Sequence, residues 1–455
     1  MSADAGAGER GARRARILEI FAAALATAAP AAAIERHLAA HPELVQAIER
    51  GPGEVIVVGA GKAAAAMAAA LHARFGPRIA GGQVIVRRGA DLSAATGRID
   101  VAEAGHPIPD ADGVAASARL LERLRGRRPE DLVIAAISGG ASALLQAPPP
   151  GVALADLQAL TRALLASGAP IAALNAVRSR LCRLKGGGLA ALAAPARVHA
   201  LVISDVIGDD PAVIGSGPTV ADRGRVADAI TFLKRQGLWD RSLGTVQKFL
   251  EGTAAAEREG IAAAPPGPAR ATTAVIVGLA EVAAAAAQEA RAGGHDARVL
   301  TPALAGEARE VGELLAALAA GLRGPDPALR RPAIWVLAGE TTVTLPRGDR
   351  DGERAGRVGV GGRNLECALA AALALDGREG VSVACLASDG SDGSSGAAGA
   401  IVDGTTAARA RAAGLDPARA LAEHDAGPLL TAIGDAVITG PTGTNVADLA
   451  LVVVE

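Results

Sequence analysis

The residues of this chain best suited to chemistry are a lysine, an arginine and several aspartates, placed at glycine-rich turns that follow apolar runs. In VIVVGAGKAAAAMA an apolar run ends at Val58 and meets Gly59, Gly61 and Lys62 ahead of an Ala-rich stretch, a G-x-G-x-x-A pattern at a strand-to-helix turn. Small residues there let the backbone approach an anion, and the free N–H groups of a helix start favour negative charge. A lysine in the first turn of a helix is electrostatically unfavourable unless it meets an anion, so Lys62 points to a bound phosphate or carboxylate. A plain tight turn would use the same glycines. It is not a Walker A loop, because Ala63 follows the lysine and Ile56 stands where the first glycine would be.

A second turn, ISGGASALL, sets Ser138, Gly139, Gly140 and Ser142 between a strand and a helix, another anion-accepting nest. Two such loops suggest a polyphosphate. Ser142 lacks the second glycine of G-x-S-x-G, with Leu144 in its place, which argues against a serine hydrolase. LNAVRSRLCRLKGGGLA gathers Arg178, Arg180, Arg183 and Lys185 around Gly186–Gly188, a basic cluster that a solvated helix face would also explain. ISDVIGDDPAVIGSGPT delivers Asp205 at a strand end, then Asp209, Asp210 and a turn through Gly215, Ser216 and Gly217. Carboxylates beside phosphate-binding loops commonly hold Mg²⁺, and Asp205, which alone sits at the strand end, is favoured for metal or general-base work; Asx turns and caps are the other reading. Arg363 opens a helix in GGRNLECALA, where its planar fork would clamp a carboxylate or a transferring phosphoryl group. Asp389 and Asp392 follow a strand in CLASDGSDG; as a calcium loop the segment fails, since its twelfth position is Ala400 and not Glu.

Positioning these turns requires a large α/β scaffold, and the chain has the material for one. Its 455 residues suit two or three domains, and 50% hydrophobic with 21% charged residues argues against disorder. A net charge of −2, four Phe, two Trp and no Tyr argue against nucleic acid as a partner. Cys182, Cys367 and Cys385 form no CxxC pair, which suits a reducing cytoplasm and predicts no structural zinc. Arg10, Arg13, Arg14 and Arg16 precede an Ala-rich run, the layout of a secretory signal, but Glu19 interrupts it. Ile17, Phe21 and Leu25 instead fall on the stripe of an amphipathic helix. With no run of 18 apolar residues, no membrane span is expected.

Short β-branched runs at Val55–Gly59, Gln83–Arg88, Leu132–Gly140 and His199–Val206 alternate with Ala/Leu-rich segments, the rhythm of a parallel sheet covered on both faces. Ligands in such sheets gather beyond the carboxyl ends of the strands. The second run ends Val86, Arg87, Arg88 instead of in an acidic residue, which disfavours NAD and leaves NADP open. The Pro/Gly/Ala-rich stretch Gly252–Ala271 reads as a linker, after which ATTAVIVG, ARVLTP, AIWVLAGETTVTL, VSVACLASDG and LALVVVE form a second α/β series. Pro346–Gly362 reads as a mobile surface loop. Val452–Val454 reads as a core or edge strand, an edge leaving room for a homodimer.

Together the motifs resemble the glycerate 2-kinase family, whose C-terminal module is called the multi-organism fragment rich in leucine, MOFRL. GAGKAAAAMA, AGHPIPD, SGGASALL, LKGG, SDVIGDDPAVIGSGPT, LAGETTV, GGRNLE, SDGSDG with AAGAIVDG, and TGPTGTNVADL occur in family order, spanning nearly the whole chain. The resemblance implies a two-domain α/β protein, an N-terminal Rossmann-like parallel sheet domain (1–255) and a C-terminal MOFRL-type α/β domain (270–455) with an interdomain cleft. It implies phosphorylation of D-glycerate from ATP with Mg²⁺, usually to 2-phosphoglycerate, with Lys62, Asp205 and Arg363 at the proposed catalytic positions. ATP is then expected at Gly59, Gly61, Ser138, Gly139, Gly140, Ser142, Lys185, Gly186 and Gly217, and Mg²⁺ at Asp205, Asp389 or Asp392. Arg180, Cys182, Gly188 and Leu279 depart from the family pattern, and His106 in AGHPIPD reads as a supporting residue or a turn histidine. The competing expectation is an NADPH-dependent hydroxypyruvate reductase, with Arg87 and Arg88 receiving the 2′-phosphate. It would need a histidine–carboxylate pair, and no histidine stands at a convincing strand end.

Overall fold

The computed structural model describes residues 3–169, 171–222, 224–239, 244–259, 270–322, 330–345 and 359–455. The β-branched runs form strands as their composition predicts. β1 (Val55–Ala60), β2 (Ile79–Arg87), β3 (Ile99–Ala104), β4 (Leu132–Ser138), β5 (Arg197–Ile203) and β6 (Ala271–Val277) make one all-parallel sheet in the order β3-β2-β1-β4-β5-β6. β1 and β4 are buried at every residue, because helices cover both faces of a parallel sheet. The strand order reverses between β1 and β4, the switch point at which open α/β sheets bind ligands.

β7 (Asp296–Leu304), β8 (Ala333–Gly339), β9 (Val381–Ala387), β10 (Gly399–Asp403), β11 (Ala436–Val437) and β12 (Asp448–Val454) form the second sheet, in the order β11-β10-β9-β12-β8-β7. It is mixed: β7 and β8 run parallel and the other neighbours antiparallel. β12 pairs on both edges and is wholly buried, so Val452–Val454 is core and offers no edge to a second chain. Helices Ala308–Leu322 and Arg363–Ala374 pack over this sheet, so closely at Gly312 that an added Cβ would lie 2.2 Å from the Cys367 carbonyl oxygen. Cys182, Cys367 and Cys385 are all free and buried.

Contacts divide the chain into two units, Pro30–Val277 and the residues up to Ala29 together with Gly278–Glu455. This allotment differs from the boundaries expected from composition, 1–255 and 270–455. The helix Ala3–Ala28 belongs with the C-terminal unit: it buries Ile17, Ile20 and Phe21, and its Arg16 pairs with Glu289 of the helix Leu279–Ala292 at 2.8 Å. β6, which follows the expected linker, completes the first sheet by pairing with β5. The linker itself begins inside the helix Gly244–Arg258, and its residues 260–269 lie outside the described ones, as do 346–358 of the expected mobile loop. No single helix among the described residues is long and apolar enough to cross a membrane.

Candidate active site

At the switch point the β1 and β4 turns are laced together. The Lys62 amide donates to the Gly139 carbonyl (2.8 Å) and the Ala63 amide to the buried Ser138 Oγ (3.0 Å). Gly61 is required by this contact: it sits at φ +135°, and a Cβ there would lie 2.1 Å from Ser138 Oγ. The helix starts at Ala64, so Lys62 stands in the turn just before it, half-buried. Gly140 adopts a left-handed φ of +86°, and a side chain on it would lie 3.2 Å from His106 Nε2 and 3.6 Å from Lys62 Cγ. Gly140, Lys62 and His106 therefore crowd one point beyond the strand ends.

The adjoining loops join the same network. Ser142 Oγ and Ser216 Oγ are 2.8 Å apart, and Ser216 Oγ donates to Asn175 Oδ1 at 2.9 Å. The Gly186 and Gly187 amides donate to the carbonyls of Ser216 and Gly217 at 2.9 and 2.7 Å, which zips the LKGGG and GSGP segments together. Lys185 is 4% exposed, and burial pushes its ammonium down to about 8, with Arg178 adding to the effect. Burial also lowers Arg178. Two cations short of hydration beside left-handed glycine turns make an environment that an anion would relieve. Arg180, by contrast, is held by Asp222 at 2.9 Å, and Arg183 is exposed. Asp205 follows β5 half-buried, whereas Asp210 caps a turn by accepting from the Ala212 amide at 2.9 Å.

In the other unit Arg363 is the first residue of its helix. Its Nε and Nη2 grip Asp448 (2.5 and 3.0 Å), and its Nη1 meets Glu340 at 2.7 Å. These carboxylates outweigh burial and raise its pKa. The fork that the sequence assigns to a ligand thus closes on Asp448 of the same chain. Both oxygens of Asp392 accept backbone amides of the same helix start, from Asn364 (3.1 Å) and Leu365 (2.8 Å). Burial raises the Asp392 carboxyl to about 6. Asp389 accepts from the Ser391 amide at 3.0 Å. A cavity of about 530 Å³ is lined by Glu340, Thr341, Val343, Arg363, Asp392, Ser394 and His424 among others.

Comparison with known proteins decides what this arrangement belongs to. Residues 16–251 match the family described as "Domain of unknown function (DUF4147)", and residues 333–448 match the MOFRL family. The D-glycerate 2-kinase of Thermotoga maritima is 38% identical over 400 residues, covering 87% of this chain and 90% of that protein. A crystal structure of glycerate kinase from Thermotoga maritima superposes with a TM-score of 0.83 at 34% identity, covering 98% of this chain and 100% of that one. The chain belongs to the glycerate 2-kinase family. A protein of Agrobacterium vitis named "Putative hydroxypyruvate reductase" is 40% identical over 435 residues, covering 96% of this chain and 93% of its own.

The glycerate kinase fold therefore brings Lys62, Ser138, Gly139 and Gly140 together, with Ser142, Lys185, Gly186 and Gly217 in the adjoining loops. It sets Arg363, Asp389 and Asp392 in the other unit. Asp448 and Glu340 are not legible in the sequence as partners of Arg363, although both lie in quoted motifs, because the pairing joins a helix start to strand ends distant in the chain. Nor does the sequence single out Glu366 and His424, which line the same cavity with Glu366 Oε2 2.8 Å from His424 Nδ1. Among the described residues no group of three or more His, Cys, Asp or Glu side chains has metal-holding geometry. Mg²⁺ in phosphoryl-transfer sites takes one or two carboxylates plus phosphate oxygens and water, so a single strand-end carboxylate such as Asp205 fits it. Asp392, with both oxygens engaged at the helix start, fits less well. Arg88, one of the two arginines that an NADP site would use, is held by Asp110 (2.7 Å) and Asp112 (2.9 Å).

Proposed function

We propose that this glycerate kinase family member transfers the γ-phosphoryl group of ATP, with Mg²⁺, to D-glycerate, giving 2-phospho-D-glycerate. The observation that carries the reading is the junction at the carboxyl ends of β1 and β4. There a lysine-bearing turn meets a left-handed glycine turn, with the desolvated Lys185 in an adjoining loop and Arg178 in the last turn of the helix Ile171–Arg180. Phosphoryl transfer asks an enzyme mainly to position its reactants and neutralise charge, and cations beside backbone nests supply both. The Ser138–Ser142 turn offers its backbone to the phosphates, Lys62 neutralises the γ-phosphoryl oxygens, and Arg363 serves the glycerate side of the same reaction. Asp205 would hold Mg²⁺, which when bound shields the negative charge of the phosphates.

The deciding experiment is phosphorus NMR of the purified protein with D-glycerate, ATP and Mg²⁺, run beside an absorbance trace with hydroxypyruvate and NADPH. A new phosphate-monoester resonance matching 2-phosphoglycerate is the expected result, and the 3-isomer would keep the reaction class while changing the attacked hydroxyl. Nicotinamide oxidation with no new ester would replace the kinase reading by the reductase one.

A further inference from the structure

A second cluster of ionisable side chains lies at the opposite end of the first sheet from the Lys62 turn. Three of the seven histidines, His37, His41 and His199, line a cavity of about 340 Å³ beside the first residues of β5 and β6. Every residue lining it belongs to the unit Pro30–Val277. Arg197 and His199 are two apart on β5 and so share a face of the sheet, and His199 stands level with Thr272 of β6. The helix Pro30–Ala40 packs against β6 and brings His37 to that face, and His41 is the N-cap of the next helix, Pro42–Arg50.

His37 Nε2 and His199 Nε2 are 3.0 Å apart, and the His41 ring centre lies 4.3 Å from that of His37. With one proton between the two Nε2 atoms, one ring donates and the other accepts. Engaged with each other, these atoms suit no metal, and among the described residues no three His, Cys, Asp or Glu side chains have metal-holding geometry. The other charged groups on the cavity are Arg197, Arg270 and Glu43, whose Oε1 is 3.0 Å from His41 Nδ1. Two guanidinium groups and three imidazoles thus face one carboxylate. Among the described residues neither arginine has a carboxylate partner, and Arg270 donates only to the Pro129 carbonyl, at 3.3 Å. Burial, with the neighbouring rings, pushes His199 down to about 4 and lowers His37 as well, so the pair is uncharged at neutral pH.

We propose that this cavity binds a small oxyanion, a carboxylate or a phosphate group, and that binding draws a proton from solvent onto the His37–His199 pair. An anion held by Arg197 and Arg270 supplies the counter-charge that a protonated pair lacks, and the protonated ring gains a charge-assisted hydrogen bond. Binding therefore raises the affinity of the rings for protons, so the anion binds more tightly as pH falls. The site is independent of the kinase reading.

The test is calorimetric titration of the full chain with sulfate and, separately, acetate, both fully ionised at pH 6 and at pH 8. It is run in Lys62→Met, to silence the Lys62 turn, and in the same variant carrying His199→Gln. One saturable site should be present in the first protein and lost from the second. Its affinity should rise about tenfold from pH 8 to pH 6, the effect of half a proton taken up on average over that range. Binding of sulfate alone identifies the group as a phosphate, and binding of acetate alone as a carboxylate. Binding that is unchanged by His199→Gln, affinity that does not vary with pH, or no saturable binding of either anion overturns the proposal. If His199→Gln fails to fold, Arg197→Ser, at an exposed position, takes its place: anion affinity should fall about tenfold, and unchanged affinity overturns the site.

Discussion

Lys62 and Arg363 stand at helix starts behind glycines, and in sequence they look like two copies of one device. Their surroundings differ. The Lys62 turn is held by its own amide on the Gly139 carbonyl and by the Ala63 amide on Ser138 Oγ, and in the adjoining segments Lys185 and Arg178 are cations that burial makes costly. Arg363 is neutralised within its own unit by Asp448 and Glu340, which hold its charge firmly. On the reading proposed above the first region receives an anion; the second contains the counter-charges of its arginine and presents a polar cavity. A cation at a helix start is thus evidence of a ligand only after the carboxylates of the fold have been placed.

The largest expected effect tests the first region. Lys62→Met should lower kcat/KM by roughly 10³-fold, about 4 kcal/mol, by removing a charge aimed at the transferring group. Asp205→Asn should do comparable damage without unfolding the protein, and a variant that binds ATP yet keeps full turnover would remove Asp205 from the machinery. The second region is tested by Asp448→Asn. It leaves a partly buried guanidinium without its charged fork, and chemical denaturation should register a loss of about 3 kcal/mol, the low end for broken ion pairs because Arg363 is a third exposed. If stability is unchanged, the two cations are more alike than their contacts indicate.

A pH measurement sharpens the contrast. The Asp392 carboxyl is raised in the folded protein to about 6, so the native state binds more protons than the unfolded chain between the ordinary carboxylate range and that value. This group therefore stabilises most below its unfolded pKa, and its contribution falls as pH rises through about 6, by roughly 2–3 kcal/mol. In Asp392→Asn this component should be absent, so stability relative to wild type should climb with pH over that window when measured by urea unfolding. The smallest effect concerns Lys185. An anion beside it favours its charged form, so ATP binding near its pKa of about 8 should take up a fraction of a proton. Calorimetry in buffers of different ionisation enthalpy reads that uptake, and proton release would reverse the picture of the loop.

Much of the parallel sheet was legible beforehand. Continuous apolar runs, most of them ending in Gly, Ser or Asp, located β1, β2, β4 and β5, because burial on both faces writes itself into a local run. β3 was missed, since it is a short edge strand with mixed exposure, and so was β10, whose GAIVD was read as a motif only. Among the site residues, Gly61 and Gly140 were found by pattern. What Gly61 does was not: the contact it makes room for is Ser138 Oγ, 77 positions along the chain, and no ligand is needed to explain it. His106, read as a supporting residue or a turn histidine, lies in a bend with its Nε2 3.2 Å from where a Cβ on Gly140 would stand.

By itself, then, the sequence determined the α/β class, the turns at which chemistry can occur and the family, since each rests on residues adjacent in the chain. Tertiary structure alone decided which unit owns the first helix and β6, that Asp448 closes on Arg363 across 85 residues, and that Glu366 meets His424 across 58. The physical reason is range. Propensity and turn geometry act over a few residues, whereas charge pairing and desolvation depend on which distant side chains the packed core brings within a few ångströms.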